Sequence, residues 1–428
     1  MKIAFFTLGC KVNQYETQIL TELFTANGYE VVPHTQQADV YIINSCTVTA
    51  TGDKKTRQML RRFRTQNADA CLVLTGCFPQ AFPELAAQLP EADIITGARE
   101  RSELVSLVAQ QLATRQRIVK IIPHERGEAF EQMHAGGFLE RTRAFVKIED
   151  GCERFCSYCI IPSARGPVRS KPLDALRSEL LDLSAAGYCE VVLVGINLPS
   201  YGKELGLRLI DAIETTAQIP GIRRIRLGSL EPELLTAEDI ARMAALPQLC
   251  PQFHLSLQSG CDATLRRMNR HYDTAEYARI VDDLRCHFPN CAITTDLMVG
   301  FPGEDETEFE ASLAFAQRIA FAKAHVFAYS QRPGTRAAKM PDQLSRAVKE
   351  ARSARMIALT NRTRADFLQQ QVGQTAQVLF ESRMQNGQFE GYTENYVPVR
   401  VHAQTDLRGG IYPTRILGSD GETCQGEL

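Results

Sequence analysis

Hydrophobic positions along this chain gather into short uninterrupted runs separated by amphipathic stretches, and the rhythm changes twice. In residues 1–122 the runs KIAFFTLG (2–9), DVYIINS (39–45), ACLVLTG (70–76) and, more weakly, ADIITG (92–97) predict strands. Helical periodicity fills the intervals, as in Gln14–Ala26 and Lys54–Thr65. Strand and helix alternating at this pace predict a doubly wound α/β unit on a parallel sheet.

A polar stretch without periodicity, PHERGEAFEQMHAGG (123–137), reads as a linker or an excursion between domains. RAFVKIE (143–149) then opens a second series of strands, continued by EVVLVGI (190–196), RRIRLGS (223–229), QFHLSLQS (252–259), AITTDLMVG (292–300) and AHVFAYS (324–330). Helical segments at 172–187, 205–217, 236–246, 273–288 and 304–319 separate them. Six strands in this arrangement predict an open (β/α)6 barrel, a partial form of the closed eightfold one. A charged helical pattern from Ser345 to Gln371 leads out of it. The segments QTAQVLFESR, QFEGYTEN, YVPVRVH and GIYPTRILGS, broken by Gly and Asn, predict a small C-terminal β-barrel. The expected division is therefore 1–122, a linker 123–137, 138–371 and 372–428.

Composition narrows the class. The chain has 428 residues, 44% hydrophobic and 23% charged, the mix of a soluble multidomain protein. The apolar N-terminal run is too short for a membrane span and lacks the flanks of a signal peptide, so a cytoplasmic protein with no membrane partner is expected. A formal charge of −2 provides no global field for a polyanion, and any nucleic-acid contact must come from local patches. Thirteen cysteines in a reducing compartment point to metal binding, catalysis or burial rather than disulfides.

Cys152, Cys156 and Cys159 form C-x3-C-x2-C directly after the strand FVKIED. Three thiolates on one loop suit a 4Fe–4S cube whose fourth iron stays open to a ligand. Structural zinc asks for a second paired knuckle, which is absent nearby. Simple packing leaves the polar neighbours Glu153, Arg154 and Ser157 unexplained. Ligand-facing residues should sit at the carboxyl ends of the barrel strands. Asn197, Glu231, Gln258 and Asp296 occupy such places, with Arg270 nearby, and each either touches a cofactor or caps the next helix.

A second triplet is dispersed. Cys10, Cys46 and Cys77 each end a strand of the N-terminal sheet, and parallel strands finish on one rim, where crevices form. Three convergent thiols suit a second cube. Three packed cysteines are the other reading, and geometry alone leaves both open. Cys71 starts its strand and belongs to the opposite rim. It reads as a packing residue, as do Cys189, Cys250, Cys261, Cys286, Cys291 and Cys424 for the most part.

The segment DGCERFCSYCIIPSARG (150–166), with an aromatic before its last cysteine, resembles the radical S-adenosylmethionine superfamily. LGCKVNQYE (8–16), INSCTV (43–48), LTGCFPQ (74–80), VGINLPSYG (194–202) and MNRHYD (268–273) extend the resemblance over essentially the whole chain, to the methylthiotransferases of that superfamily. The resemblance implies two 4Fe–4S clusters, one on Cys152, Cys156 and Cys159 and an auxiliary one on Cys10, Cys46 and Cys77. It implies that S-adenosylmethionine chelates the open iron of the first cluster, with Tyr158 against the adenine. One S-adenosylmethionine then methylates a sulfur at the auxiliary cluster, and a second is cleaved to a radical that activates the substrate carbon. An external electron donor, a TRAM-like C-terminal domain and a monomer are expected.

Known members act on an adenosine beside the tRNA anticodon, bearing either a threonylcarbamoyl or an isopentenyl group, or on an aspartate of a ribosomal protein. The wording here most resembles the threonylcarbamoyladenosine class, which implies C2 of adenosine 37 in a tRNA anticodon stem-loop. A non-enzymatic cluster carrier would have no need of polar barrel strand ends. The residues themselves say less about RNA. DKKTRQMLRRFR (53–64) carries six basic residues and one acid, and Arg141, Arg143, Arg165, Arg169 and Lys171 flank the barrel triplet. They either reach phosphates or form solvated faces. Residues 371–428 hold four arginines, no lysine and seven acids, a poor phosphate binder. Their aromatics (Phe380, Phe389, Tyr392, Tyr396, Tyr412) either stack on bases or fill the barrel.

Overall fold

The structure, a computed structural model, describes residues 1–134, 136 and 142–428; Arg141 lies outside the described residues. The N-terminal sheet has six parallel strands: β1 (Lys2–Thr7), β2 (Glu30–Val31), β3 (Val40–Ser45), β4 (Cys71–Gly76), β5 (Ile94–Thr96) and β6 (Ile118–Lys120). Their order is β2-β1-β3-β4-β5-β6. The uninterrupted apolar runs follow from burial on both faces. Val40, Ile42, Cys71 and Val73 pack on one side with Leu20, Phe24 and Val108. Tyr41, Ile43, Leu72 and Leu74 pack on the other with Met59, Leu60 and Phe63.

The helix Lys11–Ala26 divides its burial between two neighbours. Leu20 and Phe24 face the sheet, while Val12, Tyr15 and Ile19 enter the core of the central domain. That core is walled by β7 (Ala144–Lys147), β10 (Glu190–Val194), β11 (Arg224–Leu227), β12 (Ser229–Leu230), β13 (Gln252–Leu255), β14 (Ala292–Val299) and β15 (Lys323–Ala328). A short antiparallel pair, β8 (Glu149–Asp150) and β9 (Arg169–Ser170), stands beside it. The wall is parallel throughout and runs β7-β10-β11, then β12-β13-β14-β15. β11 and β12 are one strand interrupted at Gly228, so six strands form the expected open barrel. The helices at Leu173–Ala185, Leu209–Ala217, Ala237–Ala244, Thr274–His287 and Glu306–Ile319 fall where periodicity placed them.

The long helix Arg346–Gln369 leads to a closed five-stranded barrel, ordered β16 (Thr375–Arg383), β17 (Gln388–Thr393), β18 (Pro398–His402), β20 (Cys424–Glu427) and β19 (Ile411–Ser419). It docks on the central domain through buried charge. Arg226 donates to Glu190 at 2.7 Å and to the backbone oxygens of Thr393 and Glu394 at 2.7 and 2.8 Å. Removing one partner of such a pair costs about 3–5 kcal/mol, because the other is left buried and alone. Tyr392 and Tyr396 stack on each other 4.7 Å apart against Arg143, while Phe380 and Phe389 fill the small barrel. Tyr412 packs partly buried beside Phe380.

Among the described residues of 123–137 there is no helix or strand, yet the segment is held in place. Phe130 is buried with the ammonium groups of Lys147 and Lys171 over its ring, 5.3 and 5.7 Å from its centroid. Glu131 pairs with Arg101 at 2.6 Å, and Glu128 with Arg169 at 2.6 Å. No described helix is long and apolar enough to cross a membrane.

Candidate functional site

Two glycines turn the N-terminal strands into their cysteines. Gly9 (φ +114°) precedes Cys10, and a Cβ there would lie 2.9 Å from Cys46 Cβ and 3.2 Å from its sulfur. Gly76 (φ +97°) precedes Cys77, and a Cβ there would lie 2.7 Å from the Ser45 carbonyl oxygen. Only glycine accepts both the conformation and the approach. The three strand ends thereby gather Cys10, Cys46 and Cys77 within each other's electrostatic reach. Cys71 is buried in the sheet core, as its place at the strand start implied. Cys250, Cys291 and Cys424 are also buried, Cys189 and Cys261 are half-buried, and Cys286 is exposed.

Cys152, Cys156 and Cys159 lie on the loop between β8 and the short helix Ile161–Arg165. The amide of Cys159 donates to the carbonyl of Cys156 at 3.0 Å, closing a turn, and the three thiols lie within electrostatic reach of one another. Burial pushes the Cys77 and Cys159 thiols up to about 12 and raises Cys152 and Cys46 as well. Such groups ionise when a metal takes the proton's place. Among the described residues no Cys, His, Asp or Glu triplet converges on a single ion. Three thiols from one region suit a 4Fe–4S cube, which binds one thiolate per iron.

Each triplet has an arginine on one of its sulfurs. Arg270 Nη1 donates to Cys156 Sγ at 3.3 Å, and the same guanidinium pairs with Glu231. Arg165 Nε donates to Cys77 Sγ at 3.2 Å, although Arg165 belongs to the helix that follows the other triplet. Fully buried, Arg165 also binds Glu16 at 2.5 Å and Asn13 Oδ1 at 2.8 Å. Asn13 accepts from Cys10 Sγ at 3.5 Å and donates to the Leu8 and Ser45 carbonyls. Lys147 bridges Glu16 and Asp150 at 3.1 Å each, and Arg101 reaches Glu16 at 2.8 Å. Burial opposes ionisation of Glu16, but Arg101, Arg165 and Lys147 outweigh it and hold the carboxyl at about 2.

The residues at the barrel strand ends separate into two groups. Tyr158, Glu231 and Arg270 surround Cys156 and Cys159. The side-chain oxygens of Asn197 and Gln258 are buried without a hydrogen-bond partner, although the Asn197 amide nitrogens are engaged with Glu149 and Ser200. Two orphaned acceptors suit a ligand rich in N–H donors, as the amino groups of S-adenosylmethionine are. Asn197 lines a cavity of about 330 Å3 with Glu153 and Arg154.

Asp296 differs from these five, because its side chain faces another space, although its carbonyl accepts from the Gln258 amide at 2.9 Å. It lies 3.4 Å from His254 Nε2 and lines a larger chamber of about 830 Å3, to which all three domains contribute. Cys10 and Lys11, the inner faces of β10, β13, β14 and β15, and Glu381 with Tyr396 form its walls. Burial, with Arg143 and Arg226 beside it, lowers the Lys11 ammonium to about 8.

The basic residues divide as well. Arg143, Arg165, Arg169 and Lys171 are largely buried in ion pairs with Glu381, Glu16, Glu128 and Glu179, and so are not phosphate contacts. The segment 53–64 lies on the helix Ala50–Gln66, capped by the Thr49 hydroxyl on the Gly52 amide. Met59, Leu60 and Phe63 face inward, leaving Lys54, Lys55, Arg57, Arg61 and Arg62 exposed. Lys54, Arg57 and Arg61 line a groove against residues 331–333.

Residues 2–97 match the family model described as "Uncharacterized protein family UPF0004", and residues 146–316 match that of the radical SAM superfamily. A Bacillus subtilis protein named threonylcarbamoyladenosine tRNA methylthiotransferase MtaB is 37% identical, over 97% of this chain and 93% of its own. The Thermotoga maritima protein of that name is 36% identical, over 91% and 89%. A Pelotomaculum thermopropionicum protein named tRNA-2-methylthio-N(6)-dimethylallyladenosine synthase is 32% identical, over 98% and 95%. Among solved structures, the radical S-adenosylmethionine methyltransferase TsrM from Kitasatospora setae superposes with a TM-score of 0.60 at 13% identity, over 78% of this chain and 73% of that one, a likeness of fold. With a radical SAM family match in the central domain and methylthiotransferase relatives 36–37% identical over more than nine-tenths of the chain, the chain belongs to the radical S-adenosylmethionine methylthiotransferase family.

Proposed function

We propose that this enzyme installs a methylthio group at C2 of N6-threonylcarbamoyladenosine in the anticodon loop of tRNA. One observation carries the chemistry: Arg165, on the helix that follows the barrel triplet, donates from a fully buried guanidinium to Cys77 of the N-terminal triplet, which ties the two cysteine-bearing domains together. The substrate reading rests on the relatives named for threonylcarbamoyladenosine, at 36–37% identity against 32–33% for those named for the dimethylallyl compound.

In this reading Cys152, Cys156 and Cys159 hold one 4Fe–4S cluster and Cys10, Cys46 and Cys77 the other. When bound, the clusters and S-adenosylmethionine supply the radical and the methylated sulfur. The chain's own residues position and insulate. Tyr158 and the unpaired oxygens of Asn197 and Gln258 hold S-adenosylmethionine, while Glu231 fixes Arg270 against the Cys156 sulfur. Arg165 and Asn13 hold the strand-end sulfurs in register with the barrel. The chamber beside Cys10 receives the base, with Asp296 and His254 on its wall. The exposed face of the helix Ala50–Gln66 follows the RNA backbone.

Mass analysis of tRNA nucleosides from cells lacking the gene tests this. The methylthio form of threonylcarbamoyladenosine should vanish and the unthiolated form accumulate. Retention of the methylthio form, or loss of the isopentenyl one instead, would refute the substrate.

A further inference from the structure

The charges facing the large chamber do not balance. Arg226 is engaged by Glu190 and two backbone oxygens, and Arg143 pairs with Glu381 at 2.6 Å. Asp296 is beside His254. Lys11 and Lys323 line the same space and have no ion-pair partner among the described residues. Lys11 follows Cys10 directly. Lys323 opens β15, the edge strand of the barrel, two residues before His325, which lies in the electrostatic reach of Lys11, Lys323, Asp296 and His254. Two ammonium groups thus line one chamber from different domains, together with Cys10 of the auxiliary triplet.

A walled site with unpaired positive charge favours an anionic guest, because low-dielectric surroundings strengthen the attraction. It also disfavours an apolar guest, which would strip water from both ammonium groups and return nothing. We propose that Lys11 and Lys323 form a carboxylate-binding subsite that takes the free carboxylate of the threonyl group on the substrate adenosine. The subsite rests on the substrate reading above and deepens it: these two lysines would tell the threonylcarbamoyl group from an isopentenyl one. An RNA phosphate is the other anion within reach of such a pair. The carboxylate is favoured because the lysines line the chamber together with Cys10, where the modified base must lie, rather than the basic helix outside.

The test uses reconstituted holoenzyme and three anticodon stem-loop RNAs. They carry threonylcarbamoyladenosine with a free carboxylate, its methyl ester, or unmodified adenosine. Dissociation constants are read first and initial rates second. Esterification should weaken wild-type binding about tenfold, the scale of one charged hydrogen bond. In Lys323→Met the acid should bind about tenfold more weakly and the acid-to-ester ratio should approach one, while Lys323→Arg should restore the ratio. Lys11→Met should act in the same direction. Because it adjoins Cys10, its iron content is measured alongside, and Lys323 remains the independent arm.

A wild-type ratio of one, or variants that weaken all three RNAs equally as a phosphate contact would, overturns the subsite. Wild-type methylthiolation of the acid RNA together with full discrimination by Lys323→Met removes the subsite alone. Wild-type enzyme that cleaves S-adenosylmethionine but methylthiolates neither threonylcarbamoyladenosine RNA would remove the substrate reading and the subsite together.

Discussion

The two cysteine triplets reach similar ends by opposite routes. The barrel triplet comes from one eight-residue loop, and its arginine and that arginine's partner, Arg270 and Glu231, are residues of the same domain. The N-terminal triplet comes from three strand ends, and the arginine on its sulfur is borrowed from the neighbouring domain. A local loop can shape its thiols alone. A dispersed triplet depends on the sheet, on glycines that let the strands close up, and on a second domain that completes the charge. The barrel site should therefore tolerate damage at the seam, and the N-terminal site should not.

Arg165→Met is the largest test of that contrast. It leaves Glu16 and Asp150 buried with fewer partners, and about 3–5 kcal/mol of stability should be lost. Thermal unfolding should shift down, and iron should be lost selectively from Cys10, Cys46 and Cys77, read by alkylation of the freed thiols. Arg270→Met should leave that iron in place and slow formation of 5′-deoxyadenosine. Equal loss of iron from both triplets in Arg165→Met would abolish the distinction.

The seam also sets an acid limit. The folded carboxyl of Glu16, at about 2, lies below its ordinary value of 4.5. Its contribution is therefore full above about 4.5 and is lost as the pH falls toward 2, a change on the order of 3 kcal/mol. Glu16→Gln should weaken the protein at neutral pH and flatten the pH dependence in that window, followed by circular dichroism. An unchanged acid profile would mean that the seam charge does not bind the domains.

The smallest effect per residue belongs to the surface. Replacing Lys54, Arg57 and Arg61 by Gln should weaken all stem-loop RNAs alike and leave both iron sites intact. The dependence of log affinity on log salt should flatten by about 0.7–0.9 for each phosphate that the helix no longer neutralises. An unchanged salt slope would make this helix face merely solvated.

Much of this architecture was legible in the chain. The apolar runs marked the main strands because both sheet faces are buried, and the barrel triplet was plain because its spacing is local. The dispersed triplet became visible only once each cysteine was placed at the end of a parallel strand. The seam was missed, although a trace of it was present. Glu16 lies on the helix stripe of Val12, Tyr15 and Ile19, and a carboxylate on an apolar stripe needs a buried partner. Lys147 likewise interrupts an apolar strand.

The short edge strands β2 and β6, and the closing strand β20, lie in polar or brief segments whose pairing comes from neighbours rather than pattern. The chamber was not readable at all. Lys11 and Lys323 share the chamber only through the way the domains dock, and no local periodicity encodes that.

The strap around Phe130 has a consequence for how such a protein can be assembled from parts. With its ring held by two lysines of the barrel and its acidic neighbours paired to Arg101 of the sheet and Arg169 of the barrel, the connector is as much a component of the join as the surfaces it joins. Exchange of the N-terminal unit between relatives would have to carry the strap and its partners along. Inheritance should therefore treat sheet, strap and barrel as a single module, with the small C-terminal barrel, held by the Arg226 and Arg143 contacts, as the piece more easily traded.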